Sequence, residues 1–339
     1  MKKTKRIIVI ILALLLLAGI AVWAVRSHTG GNTPEQIKSV TIFDTDLGTD
    51  DAIAVMMIAQ MDVPVDYLVA THGNASADQA VINAIILKKY FHMDDITVVA
   101  GLSPAVEDNG EKNTFHGNDG LANISEDMTA NLKLGDPEFS DYITFEALCE
   151  NLADVDEILY IAVGPTTNLA SLIQDESLYG KIKNVYLMGG GINEFNCSHN
   201  TEFNFSKNPQ AVSEVLSSGL DITLFPLDLT NHQTVDETQI RDLVEYDAFP
   251  ECITFLEFNL NANDEYNQIP EAVMHDSMPV LYDANKNDFT VVDKRIVSDE
   301  YGAVFESDEG YTVHIATGAK DGLLIDTLNR VFSIESKAA

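Results

Sequence analysis

VTIFDTDLGTDDAIAVMMIAQ, from Val40 to Gln60, predicts a strand, a tight turn and a helix in immediate succession. Its β-branched and aromatic start, Val40 to Phe43, is typical of a buried strand. The apolar run from Ala52 to Ala59 contains no Pro or Gly and favours a buried helix. Four carboxylates lie between these two runs: Asp44, Asp46, Asp50 and Asp51. In an open α/β sheet, ligands bind at the carboxyl end of such a strand.

The four carboxylates predict a metal site. Like charges held this close repel one another, so without a counter-ion the cluster would destabilise the fold. All-oxygen ligands favour a hard cation, Ca²⁺ or Mg²⁺, over zinc. The alternative is that Asp50 and Asp51 only cap the helix and interact with its dipole, with Asp44 and Asp46 solvated in a loop. Four acids beside an apolar strand and helix favour the metal site.

The same segment carries a family resemblance. Asp44 to Ala52, DTDLGTDDA, resembles the DxDxGxDDA signature of the inosine-uridine preferring nucleoside hydrolases, Ca²⁺-dependent enzymes that cleave N-ribosides. One departure is Asn208-Pro209, where the family has Asp-Pro, and Asn caps a helix as well as Asp does. Further segments are similar to the family in the same order: His72-Gly73-Asn74, His116 to Leu121, Gly164 to Ala170, Asn196 with Glu202-Phe203-Asn204, Leu227 to Thr230, and His275-Asp276.

The resemblance implies a reaction and a set of site residues. The reaction is hydrolysis of the N-glycosidic bond of a ribonucleoside to free base and ribose, with a Ca²⁺-bound water as the nucleophile. Asp46 would be the general base for that water, and His275 would assist the departing base. The Ca²⁺ ligands would be Asp46, Asp51, Asp276 and the backbone carbonyl of Val163. The ribose hydroxyls would be bound by Asp50, Asn74, Asn196, Glu202 and Asn204.

Predicted strands and helices alternate along the chain. The strands lie near 65–71, 95–100, 157–163, 184–188 and 221–226, and the helices near 76–91, 141–153, 167–174, 208–218, 236–246 and 250–263. This alternation predicts an α/β fold, a single open, mainly parallel twisted sheet covered by helices, with a Rossmann-like core as in the nucleoside hydrolases. Thr167 is expected to cap a helix, and Leu227 to Thr230 to form a structural turn. Beyond Asp283, we expect strands near 289–297 and 311–316 and a final helix from Gly322 to Ile334.

The first 31 residues predict a membrane anchor or a signal segment with a linker, ahead of a catalytic domain over 32–339. They carry five bases and no acid, and the apolar run from Ile7 to Val25 has 19 residues. At about 1.5 Å per residue, a helix of that length crosses a bilayer. Val22-Trp23-Ala24 would also pass as a cleavage site. The basic N-terminus predicts an extracytoplasmic catalytic domain, which is membrane-anchored, or secreted if the segment is cleaved.

The net charge of −33 disfavours nucleic acid as a partner, because phosphates would be repelled. The spacing of Cys149, Cys197 and Cys252 indicates neither a disulfide framework nor a zinc site. The expected partner is a small-molecule nucleoside, and the resemblance implies a homodimer or homotetramer. The preferred base stays open, with Tyr266, Phe195 and His199 as candidate contacts, and His116 receives no role.

Two other functions fit part of the pattern. Phe43 to Asp46 also resembles the DxD motif of haloacid-dehalogenase-type Mg²⁺ phosphatases. Those enzymes need a later Gly-Asp-x-x-x-Asp motif, and Gly135-Asp136 with Asp141 is one residue too long. The other alternative is a surface protein that binds a nucleoside or sugar with Ca²⁺ without cleaving it. Loss of Asp46 or His275 would favour that alternative, and both are present.

Overall fold

Strands and helices alternate along most of the chain, as the sequence predicts. The structure is a computed structural model that describes residues 37–103, 114–135 and 138–334. The strands are β1 (Ser39–Thr45), β2 (Tyr67–Ala70), β3 (Thr97–Ala100), β4 (Ile143–Thr144), β5 (Glu157–Ala162), β6 (Ile182–Met188), β7 (Ile222–Phe225), β8 (Thr234–Asp236), β9 (Glu271–Val273), β10 (Phe289–Ser298), β11 (Val304–Glu306) and β12 (Tyr311–Ala319). The helices are α1 (Thr49–Gln60), α2 (Ala77–Tyr90), α3 (Ser125–Leu132), α4 (Phe145–Leu152), α5 (Thr167–Ile173), α6 (Glu176–Tyr179), α7 (Phe203–Lys207), α8 (Pro209–Ser217), α9 (Leu227–Thr230), α10 (Glu237–Val244), α11 (Pro250–Asn267), α12 (Ser277–Ala284) and α13 (Leu323–Phe332).

A large, mainly parallel sheet is confirmed. Within the described residues it has ten strands in the order β11-β10-β12-β7-β6-β5-β1-β2-β3-β4. The pairs from β12 through β4 are parallel, whereas β10 pairs antiparallel with both β11 and β12. β8 and β9 form a separate antiparallel pair, which the sequence did not predict.

The strand order reverses between β1 and β5. From β1 the chain adds β2, β3 and β4 on one side, and it then returns to place β5, β6 and β7 on the other. Asp44 of β1 lies in register with Val69 of β2 and with Ala162 of β5. Open parallel sheets bind ligands in the crevice at such a reversal, outside the carboxyl ends of the strands. The loops after β1 and β5 therefore mark the place for a site.

Helices cover both faces of the sheet. Alternate residues of β1 point to opposite faces, so Phe43 packs in the core with α1, α2, α11, α12 and α13. Its neighbour Ile42 packs in the other core with α4, α5 and α8. The α1 residues from Thr49 to Ile58 are all buried, which explains why this helix lacks a polar face. Each large apolar side chain buried in this way contributes about 1.5–3 kcal/mol to stability.

Two local predictions about helix starts differ from the structure. The helix predicted over 141–153 begins only at Phe145, because the preceding residues form β4 and the Thr144 hydroxyl caps α4. The prediction that Thr167 caps a helix is wrong. The cap position of α5 is Thr166, and the Thr167 hydroxyl instead contacts His72 Nε2 at 3.3 Å and Asn208 Nδ2 at 3.0 Å. Asn208 itself caps α8, as expected.

Among the helices of the described residues, none is long and apolar enough to cross a bilayer. The predicted span from Ile7 to Val25 lies outside the described residues. The anchor or signal segment, and the boundary between residues 31 and 32, stay predictions.

Candidate active site

Three buried carboxylates from two distant segments meet above the crevice between β1 and β5. Asp50 and Asp51 lie in the first turn of α1, and Asp276 directly precedes α12. One oxygen from each of these carboxylates lies within 4.8 Å of the other two. Only 3% of Asp50 and of Asp276 is exposed, and Asp51 is fully buried. The fold therefore concentrates carboxyl groups where water cannot screen their charge.

Asp46 is held beside these acids by Asn74. The carboxylate of Asp46 accepts hydrogen bonds from the Asn74 backbone N–H at 2.8 Å and from its side-chain amide at 3.1 Å. The same amide also donates to Asp51 Oδ2 at 3.2 Å. Gly73 permits this approach, since a Cβ there would lie 1.9 Å from Asp46 Oδ2. Asn74 thus links the predicted general base to a predicted metal ligand.

Within the described residues, no lysine or arginine forms an ion pair with this acid cluster, Asp46, Asp50, Asp51 and Asp276. Burial, followed by the charge of Asp51, raises the pKa of Asp50 to about 8. Burial and the neighbouring acids also raise the pKa of Asp46 and of Asp276 well above the usual range. Asp50 Oδ1 is buried without a hydrogen-bond partner in the described part of the chain. Oxygen donors with uncompensated charge and an unpaired lone pair fit a hard divalent cation.

The helix-capping alternative holds for Asp51 alone. Its carboxylate accepts the Gly48 backbone N–H at 2.7 Å and a short hydrogen bond from the Thr45 hydroxyl. These contacts close a capping box at the start of α1. Asp50 makes no such contact through its Oδ1. A capping role therefore does not account for the whole cluster.

The loop after β6 reaches the turn after β5 through Asn204. The Asn204 side-chain amide donates to the Val163 carbonyl oxygen, the predicted fourth metal ligand, at 2.8 Å. Glu202 is buried, and its carboxylate accepts the backbone N–H groups of Gly190, Asn204 and Phe205. Burial raises the pKa of Glu202 to about 7 against these hydrogen bonds. Glu202 thus fixes the loop, and its contact with ribose stays a prediction.

Asn196 lies on the exposed part of the same loop. Its side-chain oxygen accepts the Phe203 backbone N–H at 2.9 Å, next to the start of α7. Asp228 of α9 holds the beginning of this loop, since it accepts the N–H groups of Ile192 at 2.7 Å and Asn193 at 2.9 Å. The Leu227 to Thr230 segment, predicted as a structural turn, is thus the short helix α9, and its Asp228 anchors this loop.

Two histidines, each bonded to a threonine, lie near each other at the cluster. His275 Nδ1 lies 2.8 Å from Thr230 Oγ1, and His116 Nδ1 lies 2.8 Å from Thr49 Oγ1. Burial lowers the pKa of His275 to about 4. Burial, followed by the charge of His275, lowers the pKa of His116 to about 3. Both imidazoles are therefore neutral near pH 7.

His116 lies in the site, although its sequence context assigns it no role. Its HGNDGL segment matched the family pattern, but nothing local to that segment indicates contact with α1. Phe115 connects it to Tyr266, with ring centroids 5.0 Å from His116 and 5.9 Å from Tyr266. By contrast, His199 stacks on Tyr301 at 4.0 Å. Of the three candidate base contacts, Tyr266 is the one that these ring contacts connect to a site histidine.

Asp44 is separate from the acid cluster, although the sequence grouped it there. Its Oδ2 accepts the Tyr160 hydroxyl at 2.6 Å, and its Oδ1 accepts the Asn168 amide at 3.0 Å. Asn168 Oδ1 in turn accepts the Leu102 backbone N–H at 2.7 Å. Burial raises the pKa of Asp44 to about 7, against its two hydrogen bonds. Asp44 of β1 is thus bonded to Tyr160 of β5 and to Asn168 of α5, and Asn168 extends the network to Leu102 after β3.

Fold and site together define an open α/β protein with an acid cluster of cation-binding type where its strand order reverses. The model of the inosine-uridine preferring nucleoside hydrolases matches residues 41–328, and the chain belongs to this family. The non-specific ribonucleoside hydrolase RihC of Escherichia coli O127:H6 is 29% identical over 205 residues. That alignment covers 60% of this chain and 66% of RihC, just under two thirds of the relative's length.

Solved structures share the fold. The plant nucleoside hydrolase PpNRh1 superposes with a TM-score of 0.79 at 21% identity, covering 88% of this chain and 99% of that one. A purine-preferring ribonucleoside hydrolase from Gardnerella vaginalis superposes with a TM-score of 0.73 at 20% identity, covering 88% of this chain and 100% of that one. The expected nucleoside hydrolase fold is therefore confirmed.

Proposed function

We propose that the protein hydrolyses the N-glycosidic bond of ribonucleosides to free base and ribose. The observation that carries this proposal is the meeting of the acid cluster with two neutral histidines at the reversal of strand order. Family membership supports the same reaction class, and RihC is by its name a ribonucleoside hydrolase. The substrate is a small-molecule nucleoside.

We propose Ca²⁺ as the cofactor of this site. Asp46, Asp51, Asp276 and the Val163 carbonyl would hold it, with Asp50 beside them. The Val163 carbonyl oxygen has a second lone pair for this purpose, because Asn204 uses only one. When bound, the cation supplies the positive charge that lowers the pKa of a water molecule at the site.

Asp46 takes the proton from the attacking water in the proposed reaction. The water oxygen forms a bond to the anomeric carbon of the ribose, and the bond from that carbon to the base nitrogen breaks. The electron pair of the broken bond leaves with the base. Positive charge grows on the ribose during this step, so the acids around it stabilise the transition state. Asp50, Asn74, Asn196, Glu202 and Asn204 bind and orient the ribose hydroxyls in this proposal.

His275 assists the departing base in the proposed reaction. Because its pKa is low, His275 is neutral and donates a hydrogen bond to the nitrogen that gains the electron pair, and solvent supplies the proton of the free base. This role matters only for bases that leave poorly. His275→Ala should therefore slow cleavage of inosine or uridine by about 10²–10⁴-fold and leave p-nitrophenyl riboside nearly unaffected, since its phenolate leaves unaided. Equal slowing of both substrate types would contradict the leaving-group role.

A reducing-sugar assay across purine and pyrimidine ribosides tests the function. We expect release of ribose in the presence of Ca²⁺, and the relative rates would give the base preference. The control is the same protein without Ca²⁺. Binding of a nucleoside without release of sugar would support the non-catalytic alternative instead.

The surroundings of Asp44 disfavour the phosphatase alternative. The first acid of a DxD nucleophile motif must be open to substrate. Asp44 is fully buried, and both of its oxygens already accept hydrogen bonds from Tyr160 and Asn168. Phosphate release from a phosphomonoester by the wild-type protein would overturn this argument.

For the location, we propose a membrane-anchored protein with an extracytoplasmic catalytic domain, or a secreted one if the N-terminal segment is cleaved. The basic start and the apolar run from Ile7 to Val25 support this proposal. The protein should fractionate with membranes and be cut by protease added outside intact cells. Recovery of only a soluble form that begins near Val25 would show cleavage. The homodimer or homotetramer implied by the family is a further proposal, tested by light scattering.

A further inference from the structure

The two site histidines use the same ring nitrogen for their contacts with threonine. In both, Nδ1 faces a threonine hydroxyl, Thr49 for His116 and Thr230 for His275. Neither Nε2 has a hydrogen-bond partner among the residues that the structure describes, and neither is a fully buried unpaired atom. A neutral imidazole carries one N–H proton. The nitrogen that accepts a hydrogen bond must therefore be unprotonated, and the proton is on the other nitrogen, which can donate.

For His116 the Thr49 backbone N–H fixes the tautomer. The Thr49 backbone N–H lies 3.1 Å from His116 Nδ1, and a backbone N–H can only donate. Nδ1 is therefore an unprotonated acceptor, and the proton of the neutral ring is on Nε2. The Asp50 oxygen 3.6 Å from the same Nδ1 consequently forms no ion pair with it.

The Thr49 hydroxyl agrees with this assignment. Asn259 Oδ1 accepts the Val273 backbone N–H at 2.9 Å, which fixes the orientation of the Asn259 amide. Its Nδ2 therefore donates to Thr49 Oγ1, at 3.2 Å. The Thr49 hydroxyl proton is then free to point at His116 Nδ1. Two donors thus meet the same nitrogen of His116.

For His275 the tautomer is fixed by the hydroxyl group of Thr230 alone. Thr230 is fully buried, and His275 Nδ1 is the one hydrogen-bond partner of its hydroxyl within the described residues. If Nδ1 carried the proton, the Thr230 hydroxyl would accept it and its own proton would be buried without an acceptor. Buried donors without partners are strongly disfavoured. Thr230 therefore donates to His275 Nδ1.

We propose that Thr230 is a positioning residue that holds His275 with its proton on Nε2, as the Thr49 backbone does for His116. Each ring then keeps its proton on the nitrogen opposite the threonine, ready to donate to a bound ligand. The catalytic consequence for His275 rests on the proposed hydrolase function. The tautomer itself is a property of the folded protein and does not.

Nitrogen NMR of the full-length protein labelled with ¹⁵N-histidine tests the tautomers directly. In the wild type we expect an acceptor-type Nδ1 and a protonated Nε2 for both rings, with the signals assigned by His116→Gln and His275→Gln. Thr230→Val removes the hydroxyl at nearly constant volume, so His275 should become a mixture of tautomers. Thr49→Val is the matched control, because the backbone N–H still donates and His116 should keep its tautomer. Thr230→Ser should preserve the wild-type signal of His275.

Two results would overturn the proposal. One is a wild-type His275 with its proton on Nδ1, a measurement that needs no variant and so survives any folding defect of Thr230→Val. The other is a folded Thr230→Val protein in which His275 still has an acceptor-type Nδ1. The unchanged His116 signal in that variant shows that the site is otherwise intact.

Kinetics test the catalytic consequence. Thr230→Val should lower kcat for inosine by about 2- to 10-fold, as loss of one ordinary hydrogen bond would, with KM little changed. Cleavage of p-nitrophenyl riboside should not change, and Thr230→Ser should restore kcat for inosine. A larger KM with unchanged kcat would contradict the positioning role. A wild-type protein that cleaves no riboside would reject the proposed function while the tautomer result stood.

Discussion

Asp44 and Asp50 belong to the same segment, and both are buried, yet their surroundings are opposite. Both oxygens of Asp44 accept hydrogen bonds from neutral donors, Tyr160 and Asn168. One oxygen of Asp50 has no hydrogen-bond partner among the described residues, and Asp50 faces two further carboxylates, Asp51 and Asp276. A buried carboxylate can thus be stabilised either by hydrogen-bond donors of the fold or by a bound cation.

The difference separates structural acids from functional ones. Asp44 connects strand β1 to β5 and α5, and its hydrogen bonds come entirely from the protein. The acid cluster is unfavourable as it stands, because burial and mutual repulsion both disfavour its charged form. Such a cluster is stable only if protons or a cation neutralise it. Experiments that change the cation, the acids or the pH should therefore affect these two regions in different ways.

Removal of the cation should have the largest effect. We expect exhaustive chelation with EDTA to abolish riboside cleavage and to lower the melting temperature, because a ligand at 100 times its Kd stabilises the folded state by about 2.7 kcal/mol. Added Ca²⁺ should restore both, and Mg²⁺ serves as the comparison cation. The measurements are the reducing-sugar assay and a thermal melt. Full activity in the chelated protein would reject the metal site.

Asp46→Asn should have the next largest effect. The amide keeps the size of the side chain but cannot take a proton from water, so cleavage of every riboside should fall by about 10²–10⁴-fold, whatever the leaving group. The measurement is kcat/KM for inosine, uridine and p-nitrophenyl riboside. Asp44→Asn is the matched control, with the same chemical change two residues earlier and outside the acid cluster. Near-normal turnover by Asp46→Asn would contradict the proposed general base.

Amide substitutions should move the stability of the metal-free protein in opposite directions. Asp44→Asn places amide N–H groups next to the hydrogen-bond donors Tyr160 and Asn168. Loss of these hydrogen bonds should lower the stability by about 1–3 kcal/mol. Asp50→Asn removes a group that must take up a proton when the metal-free protein folds, because its pKa is raised to about 8, and it should stabilise that protein by roughly 1 kcal/mol. Denaturant unfolding in EDTA measures both values. Destabilisation by both variants to the same extent would remove the distinction between the two regions.

The sequence predicted the sheet well because its signals are local. Runs such as Val40 to Phe43 and the apolar α1 helix fix element type, and alternation along the chain fixes the parallel arrangement. The β8–β9 pair was missed because three-residue strands have too few positions to show periodicity. The anchor predicted before residue 32 lies outside the described residues and was not tested.

Site residues within a sequence motif could be predicted. Residues whose role depends on a long-range contact could not. The sequence grouped Asp44 with Asp46 because they are close along the chain, and only the positions of Tyr160 and Asn168 separate them. His116 received no role because its partner, Thr49, is 67 residues away. Long-range pairs of this kind depend on packing, which no local pattern reports.

The pH dependence of stability tests the same difference without any substitution. Burial raises the pKa of Asp44 and Glu202 to about 7 and of Asp50 to about 8, whereas the unfolded chain releases these protons near pH 4. Between those values the folded metal-free protein binds more protons than the unfolded chain. Its stability should therefore fall as the pH rises from about 4 to about 8.

Bound Ca²⁺ should reverse this trend, since protons compete with the cation for the same oxygens. With Ca²⁺ present, the melting temperature should rise with pH over the same range, and the two curves should diverge most near pH 8. Asp50→Asn should flatten the upper part of the metal-free curve, because it removes the group with the pKa of about 8. Asp44→Asn should flatten it near pH 7 and leave the response to Ca²⁺ intact. Parallel curves with and without Ca²⁺ would show that the acids of the cluster are not the groups that the cation neutralises.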